Sequence, residues 1–169
     1  MMTNPIKELN LGSIFFNGKV QVTDPCYSTD VWCTKQINIK QGEYIAKAVV
    51  SDEGTWGKRI GELTINHISC PKKKANNRVY SSIGVDSGQC GFFDYDKYEK
   101  VHPTYFVDET DESKKWYDMV CDITLNGDWC GLVDDMGVVS SSGIGDGCYT
   151  LYAGYNNKDE IVALRLKFL

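Results

Sequence analysis

Four aspartates of this chain stand where a carboxylate could do chemistry. Asp24 precedes a proline, Asp86 lies two residues from a glycine on either side, Asp146 sits between two glycines, and Asp94 closes an apolar run. Carboxylates that converge can hold a hard divalent cation through oxygen ligands, or divide general acid and base roles. Asp86 belongs to Gly84-Val85-Asp86-Ser87-Gly88-Gln89-Cys90-Gly91, and Asp146 to Ser140-Ser141-Ser142-Gly143-Ile144-Gly145-Asp146-Gly147-Cys148-Tyr149. Glycine accepts positive φ and lets backbone amides come close to a ligand or a neighbouring strand. Two such loops predict a polar pocket. The competing reading gives each aspartate a turn role, accepting hydrogen bonds from amides of its own loop.

Other chemistries fit less well. The segment Gly143-Ile144-Gly145-Asp146-Gly147 misses the dinucleotide spacing and leads into a strand, so no helix N-terminus awaits a pyrophosphate, and no Walker lysine is present. A backbone anion nest stays open. Cys26 would need a nearby base to act as a nucleophile, and the chain has only His67 and His102. His67 reads as one tooth of a strand face. Seven cysteines without a C-x-x-C pair do not form a zinc site, and they read as small apolar residues. Asp94-Tyr95-Asp96 lacks the glycine and closing glutamate of an EF-hand. The many tyrosines and tryptophans near the loops could stack a base, but a β-rich core requires the same residues.

The elements that must position these groups follow from periodicity. Lys19–Thr23 alternates as a strand and runs into Asp24-Pro25, where proline ends the ladder. Asn17-Gly18 ahead of it is a hairpin signal. Glu43–Ser51 and Ile60–Ile68 are strands around a turn, with Leu63, Ile65 and His67 on one face. Pro71-Lys72-Lys73-Lys74 opens a basic, solvated loop before a strand at Val79–Val85. Trp116, Met119, Val120 and Ile123 form an apolar stripe at helical spacing, started by Asp111-Glu112-Ser113, and a short helical turn at Tyr95–Lys100 is a weaker signal. Strand character returns at Trp129–Val133 and Gly137–Ser140. A hairpin closes the chain, from Tyr149–Tyr155 to Glu160–Leu169, with Val162, Leu164, Leu166 and Phe168 facing inward. About nine strands and one firm helix predict a mainly β fold: a sandwich or rolled antiparallel sheet with one helix packed near residues 112–124. Residues 1–169 read as a single domain, with 1–12 as a tether or edge segment.

An apolar fraction of 42% with 24% charged residues places the chain in the globular range. The net charge of −5 argues against duplex nucleic acid as a partner. No apolar run reaches the about 18 residues that span a bilayer. The first ten residues lack signal-peptide order and the cysteine count is odd, so the expected location is the cytoplasm.

Three segments together carry a resemblance: Val22-Thr23-Asp24-Pro25-Cys26-Tyr27, Gly84-Val85-Asp86-Ser87-Gly88-Gln89 leading to Phe93-Asp94, and Ser141-Ser142-Gly143-Ile144-Gly145-Asp146-Gly147-Cys148-Tyr149 leading to Tyr152-Ala153-Gly154-Tyr155. They resemble a domain family of unknown function found in bacteria and phages, over roughly Lys19 to Phe168. Cys148 departs from the small residue usual there, and Thr150 from the proline that often follows the tyrosine. The resemblance implies a shared fold and brings no catalytic residues. Its occurrence in phages extends the expectation to a role in phage–host conflict.

The sequence therefore points to a binding or interaction module. Asp24, Tyr27, Asp86, Ser87, Gln89, Ser141 and Asp146 would line a site for a small polar ligand or protein partner, with Tyr27 or Trp32 as an apolar wall and no cofactor. The alternative is a metal-dependent hydrolase of a small phosphate or amide, with Asp24, Asp86 and Asp146 holding a divalent cation and Ser141 orienting substrate.

Overall fold

The computed structural model describes residues 4–72, 78–102 and 110–169. In chain order its elements are β1 (Pro5–Phe16), β2 (Lys19–Thr23), β3 (Lys35–Asn38), β4 (Gly42–Asp52), β5 (Lys58–His67), β6 (Val79–Val85), β7 (Gln89–Asp94), α1 (Tyr95–Val101), α2 (Asp111–Leu125), β8 (Cys130–Val133), β9 (Gly137–Ser141), β10 (Gly147–Tyr155) and β11 (Ile161–Lys167). Two antiparallel sheets result. The larger has the order β1-β4-β5-β11-β10-β6, the smaller β3-β2-β7-β9-β8. The mainly β sandwich with a packed helix is borne out.

Alternation explains the larger sheet. Tyr44, Ala46, Ala48 and Val50 of β4, and Leu63, Ile65 and His67 of β5, point into the space between the sheets, while Glu62, Thr64 and Asn66 stay on the outer face. His67 is held at both ring nitrogens, by the Gln41 carbonyl at 3.0 Å and the Ser69 amide at 3.1 Å, and its ring meets Tyr44 edge-on. It is a satisfied strand histidine.

The centre of the smaller sheet is buried on both faces. All six residues of β7 are buried. Cys90 and Phe92 face the core shared with the larger sheet, and Phe93 faces a second core built with Tyr98, Trp116, Val120, Val133, Met136 and Val139. The molecule thus has three layers: sheet, sheet, helices. Helix α2 starts at Thr110, whose hydroxyl accepts from the Ser113 amide while Ser113 returns the bond, a reciprocal cap. Ser113, Trp116, Val120 and Thr124 are its buried face.

Three expectations are refined. The weaker helical signal is a real helix, α1, capped by Asp94. Of residues 1–12, those from Pro5 onward belong to β1, which forms an edge of the larger sheet. Asn17-Gly18 does not make a hairpin: β1 pairs with β4 and β2 with β3 and β7, so the turn carries the chain from one sheet to the other. A hairpin signal specifies a tight reversal, while the partner of each strand is chosen by the core it must cover. Lys73 and Lys74 of the basic loop lie outside the described residues. Among the described residues no helix is long and apolar enough to cross a membrane.

Candidate functional site

The two glycine loops are the corners at which a strand pair changes sheets. In the larger sheet β6 pairs with β10, ending at Val85 opposite Gly147. In the smaller sheet β7 pairs with β9, starting at Gln89 opposite Ser141. Residues 86–88 and 142–146 connect these pairs side by side, joined by the Ser142 amide donating to the Gly88 carbonyl at 2.9 Å.

Positive φ is required inside the second corner. Gly143 has φ +57°, and a Cβ there would stand 3.1 Å from the Phe168 Cβ and 3.2 Å from its carbonyl oxygen. Its amide donates to the Ile60 carbonyl at 3.1 Å, and that of Gly145 to the Ser142 carbonyl at 2.9 Å. Two amides that an anion nest would use are thus already engaged. The Tyr149 hydroxyl donates to the carbonyls of Ser142 and Gly145 and braces the loop from below.

Asp24 fixes the first corner. Its carboxylate is fully buried at the end of β2. One oxygen accepts from the Asp86 amide at 2.8 Å and the Ser87 amide at 2.6 Å; the other takes the Cys26 amide at 2.8 Å and the Ser87 hydroxyl at 2.6 Å. Burial of a carboxylate is tolerable only with such compensation. Ser87 in turn accepts from the Gln89 amide group at 3.1 Å, and the Gln89 carbonyl oxygen accepts from Thr124 on α2 at 2.7 Å. Tyr98, buried in the helical layer, donates its hydroxyl to the Tyr27 carbonyl. This chain of bonds ties the loop after β2 to the corner and the corner to α2.

A groove of about 770 Å³ opens beside this scaffold. Its walls come from Tyr27 and Asp30 to Cys33, from Gly84 to Asp86, and from Asp146 to Cys148. The Tyr27 hydroxyl donates to the Asp86 carboxylate. Desolvation and that bond push the Tyr27 phenol well above its ordinary range, so it remains a donor at neutral pH. Cys33 packs where Gly84 lacks a side chain: a Cβ on Gly84 would lie 2.9 Å from the Cys33 sulfur, and the Gly84 amide donates to the Cys33 carbonyl at 3.0 Å. That bond covers the free edge of β6. Trp32 stands at the rim with 86% of its surface exposed.

The structure therefore divides the expected site residues into three groups. Tyr27, Asp86 and Asp146 line the groove. Asp24, Ser87 and Gln89 hold the scaffold behind it. Ser141 opens on a second, smaller groove of about 300 Å³ on the far side of the corner, with Lys58, Arg59, Trp129 and Ile144. Asp30 and Cys33 are groove residues that the sequence reading did not single out. Their signal was faint: a polar turn after Asp24-Pro25, with no glycine spacing to mark it.

Two chemistries find little material. Desolvation, followed by the Asp24 charge, pushes the Cys26 thiol far above its ordinary range, the opposite of what a nucleophilic thiolate requires. Among the described residues, no three His, Cys, Asp or Glu side chains are placed to hold one metal ion. Asp24, the deepest of the three proposed ligands, already spends both oxygens on protein donors.

The architecture is that of a two-sheet β sandwich with a helical layer, whose groove lies at a paired sheet corner. By sequence the chain belongs to the family described as protein of unknown function (DUF4241), whose model matches residues 72–166. That span contains the second and third motif segments; the Asp24-Pro25 segment lies before it. The expected membership in a family of unknown function is borne out. No curated protein and no solved structure matches the chain.

Proposed function

We propose that this protein is a binding module and that its ligand seats in the groove between Tyr27, Trp32, Asp86 and Asp146. One observation carries the reading. Three segments remote in sequence supply the walls of a cavity of about 770 Å³ and leave a tryptophan 86% exposed at its mouth. A ring of that size left in water forfeits burial worth about 2 kcal/mol or more, unless a ligand or partner covers it. The rigid hydrogen-bonded scaffold behind the groove supports the same reading, because a preorganised site loses less entropy on binding. Cavities of this volume suit a small polar molecule or a protruding side chain of a partner.

Differential melting with a chemically diverse ligand set tests the proposal. A true ligand raises the Tm of the wild type, and Trp32→Ala removes that rise. Stabilising ligands that act equally on Trp32→Ala and Asp86→Asn would place the binding surface elsewhere.

A further inference from the structure

Resting on that reading, we infer that the groove is built for an organic cation, an alkylammonium or guanidinium group. The cavity and the exposed indole establish a place for a ligand; the charge of the walls establishes its sign. The ionisable groups that line the groove are Asp30, Asp86 and Asp146, the thiols of Cys33 and Cys148, and the Tyr27 phenol. Among the described residues, lysine, arginine and histidine are missing from the lining. The three carboxylates take no ion pair among the described residues; Asp30 accepts only the Ser28 hydroxyl at 2.8 Å, and Asp86 the Tyr27 hydroxyl.

Carboxylates facing a concave, partly apolar cavity focus negative potential into it. The Trp32 face adds the negative side of its ring quadrupole, the standard partner of ammonium and guanidinium ions. A bare metal ion is a poor fit for the same space, because it needs several oxygens converging within about 2.6 Å of one point, and no three ligating side chains do so among the described residues. An organic cation needs only a flat aromatic face and acceptors at the rim. The same chemistry could come from a polyamine or from an arginine side chain of a partner polypeptide.

The test uses the full chain labelled with 5-fluorotryptophan, with the Trp32 fluorine resonance assigned through Trp32→Phe and that of Trp129 serving as an internal control. Spermidine, a penta-arginine peptide, cellobiose and pyrophosphate are titrated separately. The expected result is a saturable shift of Trp32 with spermidine or the peptide, absent with the other two and weakened at least about tenfold in Asp86→Asn/Asp146→Asn. A response to spermidine identifies a small-molecule source, and a response to the peptide alone a polypeptide. Shifts produced only by cellobiose or pyrophosphate overturn the cation assignment and leave the groove standing as a site. A cation response unchanged in the double variant also overturns it. Silence of Trp32 toward every titrant sinks both the cation and the groove.

Discussion

The amide of Ser142 donates to the carbonyl of Gly88 at 2.9 Å, joining two corners that lie more than fifty residues apart in the chain. That bond, with the Gln89–Ser141 and Val85–Gly147 pairs on either side, makes the two connections one two-stranded ribbon that leaves one sheet and enters the other. The groove occupies one side of this ribbon, so whatever stabilises the bend also shapes the groove.

Asp24 is the main brace of the bend. Asp24→Ala leaves three amides and a hydroxyl without their acceptor in a buried setting, and about 3–5 kcal/mol of stability should be lost. Asp24→Asn keeps one acceptor oxygen and should lose roughly half of that. Urea unfolding followed by tryptophan fluorescence measures both; a loss below 1 kcal/mol for the alanine variant would mean that the corner holds without its clip.

Two glycines with similar backbone conformation separate crowding from strain. Gly18 has φ +83° with open space around a notional Cβ, and Gly143 has φ +57° with Phe168 against it. Gly18→Ala should cost about 1 kcal/mol, from the backbone alone. Gly143→Ala should cost roughly 2–4 kcal/mol, since Phe168 and its strand end must move as well. Equal costs in chemical denaturation would show that the second corner yields freely.

His102 should give the fold an acid-sensitive component. Its ring packs against Tyr98 and Trp116 at centroid distances of 5.1 and 5.0 Å. Desolvation lowers its pKa, with a backbone bond to Pro25 pulling the other way. A histidine whose folded pKa is depressed contributes stability that is present above its unfolded value and lost as pH falls below it. The Tm should therefore drop between about pH 7 and pH 5, and His102→Phe, which keeps an aromatic stack, should flatten part of that drop. Identical pH profiles for the two proteins would remove His102 from the account.

Divalent cations provide the sharpest contrast with the hydrolase alternative. Since both oxygens of Asp24 are committed to protein donors, Mg²⁺, Mn²⁺ and Ca²⁺ at millimolar concentration should leave the Tm where an equal ionic strength of NaCl leaves it. A cation-specific rise that Asp146→Asn abolishes would restore the metal reading.

Much of the architecture was legible along the chain because strand and helix periodicities are local. Alternation in β4, β5 and β11, the stripe on α2 and the turn at 156–159 all follow from side chains that must share a face. Strand β3 left too short a pattern to read, and β7 is buried on both faces, so its polar–apolar alternation is lost. The Asn17-Gly18 turn was visible, but its partners were not. Around the groove, Asp24, Tyr27, Asp86 and Asp146 were recognisable from the glycines and the proline near them in sequence. Trp32 was legible as an apolar wall beside Tyr27, but nothing in the sequence showed that it would be left in water.

What the sequence determined alone is the set of elements and the places where the chain must turn, since both depend on neighbours within a few residues. Tertiary structure decided which strands pair, which turns became sheet corners, and which aspartate faces a cavity rather than a cluster of amides. Asp24 and Asp86 are equally acidic in sequence. Burial of the shared core drew one inward, where only hydrogen bonds make its charge tolerable, and left the other on the groove wall.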